Sequence, residues 1–180
     1  MRHSPWAIAL VTVLWATQAQ AQFQNKSIGL SAGYLNPLST SPGSIAWTLP
    51  VGIYATYYLE NNFDLVFELD GLIAHQSAPI SQNIWGVNVT PIGVRYLFLQ
   101  ESFRPYVGLD ASFLHFFGGT ANLYGSSTSS SYVGVGPNAG FDAFLSDSLS
   151  IGLKLRYNLY IDLNNVSSAF DATARIATYF

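Results

Sequence analysis

The chain has 180 residues, a formal net charge of −3, no cysteine, and 9% charged residues against 15% aromatic ones. Soluble domains average about 25% charged residues, so this chain would make a poor water-facing surface. The mild acidity argues against a nucleic-acid partner, and the missing cysteines exclude disulfide staples, thiolate metal sites and a lipoprotein anchor.

Residues 1–21 read as a cleaved signal peptide. Arg2 and His3 give a basic start, Ala7 to Ala16 an apolar run, and Ala19-Gln20-Ala21 a cleavage site. The run falls short of the roughly 20 apolar residues that a spanning helix needs. The mature domain is then 22–180, and no later apolar run is long enough for such a helix either.

Eight segments read as strands: Ser27–Leu35, Thr48–Leu59, Phe63–Ala74, Ile84–Phe98, Arg104–Phe116, Tyr132–Leu145, Leu149–Tyr160 and Phe170–Phe180. A tilted strand crosses a bilayer in about 9–11 residues. The connections alternate in length. Glu60 to Asn62, Leu99 to Phe103 and Ser146 to Ser148 are tight. Asn36 to Trp47, His75 to Asn83, Phe117 to Ser131 and Ile161 to Ala169 are longer and rich in Ser, Asn, Gly and Pro. Short turns at one end and long loops at the other are the habit of outer-membrane barrels.

Leu149 to Tyr160 alternates most strictly. Leu149, Ile151, Leu153, Leu155, Tyr157 and Leu159 share one face, and Ser150, Gly152, Lys154, Arg156, Asn158 and Tyr160 share the other. The third segment sets Phe63, Leu65, Phe67, Leu69 and Ile73 against Asp64, Glu68 and Asp70. The fourth sets Ile92, Val94, Tyr96 and Phe98 against Pro91, Gly93 and Arg95. The fifth sets Val107, Leu109, Ala111 and Phe113 against Gly108, Asp110 and Ser112. The sixth sets Val133, Val135, Ala139 and Phe141 against Gly134, Gly136, Gly140 and Asp142. The eighth sets Ala172, Ala174, Ile176 and Phe180 against Asp171, Thr173 and Arg175. Small residues suit a cramped lumen rather than a solvated surface, because eight strands leave an interior just wide enough for side chains. The polar face therefore points in and the apolar face meets lipid. Such strands must close on themselves, since an open edge in hydrocarbon leaves backbone groups unpaired. The expected fold is all-β, an eight-stranded antiparallel up-and-down transmembrane barrel.

Tyr57, Phe63, Tyr96, Phe98 and Phe180 fall at the periplasmic interface and Trp47, Phe113 and Phe170 at the outer one, as two aromatic girdles. Trp85 has the wrong parity for a girdle, so either a bulge precedes it or it lies above the membrane.

Counted from the short-turn ends, Glu68 and Asp70 lie opposite Lys154 and Arg156, with Arg175 and Asp110 at similar height. Three acids and three bases are expected to meet near mid-barrel. They form either a salt-bridge plug or a gate through a ring of charges. The narrow lumen favours the plug. Asp64, Arg95 and Asp142 form a smaller periplasmic set.

The leader, the alternating strands and the terminal Phe180 resemble the small eight-stranded outer-membrane barrels, the OmpA membrane domain, OmpX and opacity-like group. In that family a C-terminal aromatic residue, with apolar residues at alternate positions before it, marks the chain for assembly. Phe180, Thr178, Ile176, Ala174 and Ala172 occupy those positions here, and Thr178 departs from the pattern. The resemblance implies residence in the bacterial outer membrane among its lipids and lipopolysaccharide. It also implies contact with the barrel-assembly machinery and periplasmic chaperones during biogenesis. The family's adhesive members carry protruding external strands, whereas these loops are short and nearly uncharged. Some small barrels are lipid A deacylases with a His-x-Ser pair at the outer interface. His75-Gln76-Ser77 matches that pair, but Ala78-Pro79 follows where the family has Asn-Ala, and Glu68 and Asp70 face inward. His75 and His115 could share a metal only without carboxylate support.

The sequence therefore points to a non-enzymatic structural or surface-exposed barrel with no cofactor and no metal. A narrow pore for small or apolar solutes, OmpW-like and lined by Tyr54, Tyr58, Tyr106, Phe116, Tyr132 and Tyr160, is the alternative. A lipid A hydrolase is third. No feature of the loops names an extracellular ligand.

Overall fold

The structure is a computed structural model that describes residues 25–180 apart from 39–40, 61, 100, 118–122, 124–129 and 163–164. The expected leader, residues 1–21, lies outside the described residues. Eight strands follow one another: β1 (Lys26–Pro37), β2 (Ile45–Tyr58), β3 (Phe63–Gln76), β4 (Asn83–Leu97), β5 (Phe103–Phe117), β6 (Ser131–Phe144), β7 (Leu149–Asp162) and β8 (Asn165–Tyr179). Each pairs antiparallel with the next, and β8 returns to β1 from Ser27↔Tyr179 to Pro37↔Ala169. The barrel is closed, so no strand edge is left for hydrocarbon to desolvate.

The two faces of every strand have exchanged the places they would take in a soluble protein. Leu30, Val51, Leu109 and Val133 are exposed on the outside, while Asp64, Arg95, Lys154 and Asp171 are buried within. Water on both sides would make this arrangement costly, because it exposes apolar area and desolvates charge. Lipid outside removes the first cost, and pairing inside offsets the second.

Inward rings lie on glycines of the neighbouring strand. Tyr54 sits across from Gly29, Phe116 from Gly86, Tyr106 from Gly140 and Tyr160 from Gly134. A Cβ on Gly140 would stand 2.6 Å from the Tyr106 hydroxyl, and one on Gly134 2.8 Å from the Tyr160 ring. Glycine at these sites lets a ring lie flat against the wall of a narrow lumen.

Two features correct the sequence-based expectation. Strict alternation puts Pro91 inward, but Pro91 and Ile92 are both exposed, and the β4–β5 register shifts between Val89 and Ile92. Proline has no N–H for the ladder, so it marks a bulge. The extra residue reverses the parity of the outer half of β4 and turns Trp85 outward, where it is 65% exposed. The segment Ile161 to Ala169 reads as a long loop in the sequence. Instead β7 runs to Asp162 and β8 resumes at Asn165, with Ile161 across from Val166 and Tyr160 across from Ser167. Ser167 is thereby a buried strand residue of the lumen, so three of the four outer connections are long and the fourth is tight.

At the other end the turns are short and hydrogen-bonded. The Leu59 N–H donates to the Phe63 carbonyl at 2.7 Å and the Leu145 N–H to Leu149 at 2.8 Å. Asn62 takes a left-handed φ of 69°, and its amide donates to the Leu97 carbonyl at 3.0 Å. Phe63, Tyr96 and Phe98 form an edge-to-face run on the outer surface beside these turns, with ring centroids 5.3 and 5.4 Å apart.

A cation added to the outer surface should cost most near mid-strand. Leu155→Arg is expected to lower stability in phospholipid vesicles by about 2–4 kcal/mol, and Ile161→Arg near the rim by about 0–1 kcal/mol. Denaturant titration of the two variants checks this, and equal costs would contradict a lipid-facing exterior.

Candidate functional site in the barrel lumen

The lumen is built in layers. Inward parity brings acids from β3, β5, β6 and β8 toward bases from β4, β5, β7 and β8. Asp64, Glu68, Asp70, Asp110, Asp142 and Asp171 are buried there with Arg95, Arg104, Lys154, Arg156 and Arg175.

Glu68 is the hub of the middle layer. Its Oε2 accepts a hydrogen bond from Lys154 Nζ and lies 3.7 Å from Arg156 Nη1, while Oε1 contacts Arg175 Nη2. Asp110 Oδ2 is shared by Lys154 at 3.5 Å and Arg156 at 3.3 Å. Arg156 reaches Asp171 Oδ2 through Nη2 at 2.6 Å and through Nε at 3.2 Å. The Thr173 hydroxyl donates to the other oxygen of Asp171 at 2.6 Å. Glu68, Asp110, Lys154, Arg156 and Arg175 thus stand together. Asp70 stands aside and accepts from Ser31 and Asn88, each at 3.2 Å.

Asp171 is the member that sequence reasoning missed. It is the direct cross-strand partner of Arg156. The tight β7–β8 connection would have revealed this pairing, because the register of a hairpin follows from its turn. Reading that connection as a long loop hid it.

The layer nearer the short turns holds the smaller charged set. Arg95 bridges Asp64 at 2.5 Å and Asp142 at 3.3 Å, and its guanidinium lies 4.5 Å from the centre of the Tyr106 ring. Arg175 covers Tyr54 at 4.5 Å, and Arg104 covers Phe144 at 4.1 Å. These flat contacts suit guanidinium groups, which shed water more readily than an ammonium group.

The layer nearer the long loops is largely apolar, and the inward Phe116, Tyr132 and Tyr160 of the sequence reading belong to it. Leu35, Ile45, Leu72, Ile84, Leu114 and Phe116 pack there with Tyr132, Tyr160 and the loop residue Leu123. Leu123 is fully buried, and its N–H donates to the Tyr132 hydroxyl at 3.0 Å. The outer half of the lumen is therefore a small hydrophobic core.

The remaining candidates lie elsewhere. Phe180 is exposed at the seam, exchanging backbone hydrogen bonds with Lys26 at 2.9 and 3.3 Å. His75 Nδ1 bonds Asn83 Oδ1 at 2.8 Å, and the Ser77 hydroxyl donates to the Ser41 carbonyl at 3.1 Å. His115 Nδ1 bonds the Ser131 hydroxyl at 2.8 Å. Strand β4 separates His75 from His115, and two strand spacings amount to about 10 Å, too far for one metal ion to bridge. Among the described residues no group of three or more His, Cys, Asp or Glu is placed to hold a metal.

A family model for the outer membrane protein beta-barrel domain matches residues 7–175. No curated protein sequence matches the chain. Among solved structures, OprG of Pseudomonas aeruginosa superposes with a TM-score of 0.60 at 13% identity, covering 87% of this chain and 96% of that one. Neisserial surface protein A (NspA) gives 0.58 at 16% identity, covering 86% and 96%. The outer membrane enzyme PagL gives 0.52 at 12% identity, covering 86% and 99%. At such identities the likeness is one of fold.

Removing one partner of a buried network strands the others. Glu68→Met is expected to cost about 3–5 kcal/mol, and the double exchange Glu68→Met, Lys154→Met less than the sum of the single ones. Urea titrations of the full cycle measure the coupling, and additive losses would mean that the two side chains do not interact.

Proposed function

This chain belongs to the outer membrane protein beta-barrel domain family, and from that premise we propose that it is a non-enzymatic, structural or surface-exposed barrel with a closed lumen. The observation that carries this reading is Glu68, shared by Lys154, Arg156 and Arg175 across the full width of the interior. Opposed strands are tied together through it, and a cluster of buried apolar side chains lies above it on the same path. On this reading residues 1–21 are removed on export, and Phe180 serves as the assembly signal read by the barrel-assembly machinery. Lipopolysaccharide and the other outer-membrane lipids surround the barrel, and any further partner meets the loops.

A second reading is a narrow path for small or apolar solutes. The apolar outer half of the lumen, with Leu72, Ile84, Leu114 and Phe116, favours it. A solute taking that path would have to displace Leu123 and then pass the ion pairs. The hydrolase reading has less support. A His–Ser pair needs the imidazole at the hydroxyl, and here His75 is bound to Asn83 and Ser77 to Ser41.

The purified barrel in a planar bilayer should remain electrically silent. Steady currents that change with Glu68→Gln or Lys154→Met would replace the closed lumen with the pore. Lipid A from cells expressing the chain should keep its acyl pattern on mass analysis, and loss of an acyl chain that Ser77→Ala prevents would establish the hydrolase.

A further inference from the structure

A belt of polar side chains lies between the ion-paired middle of the lumen and the apolar layer above it. The order of inward residues along each strand shows this. On β3 Asp70 stands between Glu68 and Leu72, and on β4 Asn88 stands between Thr90 and Gly86. On β5 Ser112 stands between Asp110 and Leu114, and on β7 Asn158 stands between Arg156 and Tyr160. Asp70 and Asn88 are direct cross-strand partners, and Ser112 and Tyr160 flank Gly134 of β6 from either side. All of these polar side chains are buried.

Oxygens of this belt lack a hydrogen-bond partner among the described residues: Asn88 Oδ1, Ser112 Oγ, Asn158 Oδ1 and Tyr160 Oη. Strand β6 has no side chain to offer them here, because it presents Gly134 and Gly136. A Cβ on Gly134 would stand 2.5 Å from Ser112 Oγ, and one on Gly136 would stand 2.6 Å from Asn158 Oδ1. Both oxygens therefore lie over the inner surface of β6, on the lumen side. A buried oxygen is costly to leave unmatched, and its usual remedy is a bound partner.

The same region carries one negative charge too many. In the middle of the lumen Glu68, Asp70, Asp110 and Asp171 face Lys154, Arg156 and Arg175. These bases are turned toward Glu68, Asp110 and Asp171. Among the described residues no ion pair reaches Asp70. Its partners, Ser31 Oγ and Asn88 Nδ2, are neutral donors, so they fill its lone pairs without cancelling its charge. An uncompensated charge in so narrow a space calls for a counter-ion.

We propose that the belt binds one alkali metal cation, Na⁺ or K⁺. The ion sits beside Asp70 and is held by the neutral oxygens of Asn88, Ser112 and Asn158. Carbonyl and hydroxyl oxygens can replace the hydration shell of such an ion, and Asn158 Nδ2, also without a partner, donates to a water in what remains of that shell. A divalent ion fits poorly, because Ca²⁺ and Mg²⁺ favour several carboxylates or a large share of water. One positive charge brings the middle of the lumen to neutrality. With ion pairs below and apolar side chains above, the cation is taken up as the barrel closes and stays as part of the folded lumen.

The test refolds the full-length mature barrel in detergent with NaCl, KCl or tetramethylammonium chloride at equal ionic strength, and follows unfolding in urea. A ligand of the folded state raises the midpoint with the logarithm of its concentration. The midpoint should therefore rise in NaCl or KCl and stay flat in tetramethylammonium chloride, whose cation is too large for the belt. The ion with the lower half-saturating concentration is the occupant. Asp70→Asn should abolish the dependence, and Ser112→Ala should raise the half-saturating concentration about tenfold, the scale of one lost contact to a charged group. Crystals grown in rubidium chloride should show one anomalous peak within the belt. Heat-dependent gel migration shows whether the variants fold, and if Asp70→Asn does not, the salt series on the parent and on Ser112→Ala still decides. An equal rise in all three salts would reduce the effect to screening and overturn the proposal. So would the same salt response in parent and Asp70→Asn, or a midpoint that follows pH through Asp70 but ignores the identity of the cation, which would assign the excess charge to a proton.

Discussion

Hydrocarbon offers a backbone N–H or C=O no partner, so every strand in a bilayer must be paired on both edges. The return of β8 to β1 meets that demand, and the other main features follow from it. A closed barrel has an inside and an outside, and a strand that alternates strictly must commit one set of side chains to each. The apolar set is committed to lipid. The polar set is driven into a space with little room for water.

That confinement explains the lumen chemistry. Six carboxylates and five basic side chains share the interior, and an unpaired charge there would cost several kcal/mol. The solution is sharing rather than simple pairing. Glu68, Asp110 and Asp171 are distributed over Lys154, Arg156 and Arg175, and guanidinium groups also lie on Tyr54, Tyr106 and Phe144. Buried ion pairs are a poor source of net stability compared with apolar packing. Their clearer effect is geometric: they tie β3 to β7 and β8 across the barrel.

The relatives illustrate why this architecture leaves activity open. OprG, NspA and PagL share the fold at 12–16% identity, and one of them is described as an enzyme. Eight strands provide a rigid mount, and differences in activity must arise in the loops, at the rim and in the lumen filling. In this chain the outer rim of β2–β5 carries Trp47, His75, Trp85 and His115.

The period of two is a local property of the chain, so the alternating segments and their lipid-facing sides were legible from residues alone. The strand Leu149 to Tyr160 already separated Leu153 and Leu155 from Lys154 and Arg156. Scarce charge and small inward residues then identified the solvent on each side. Register across strands is not local. A single extra residue at Pro91 reverses the outer half of β4, and the close approach of Asp162 to Asn165 extends a strand through what reads as loop. Both depend on the neighbouring ladder, which no single segment encodes. The same holds for the partners inside the barrel. The sequence by itself determined which charges face inward, while the shear of the closed sheet decided that Asp171 meets Arg156, that Asp70 stands aside, and that an apolar layer caps them. Hydrogen-bond geometry around the whole circumference fixes those heights, and that geometry exists only once the barrel has closed.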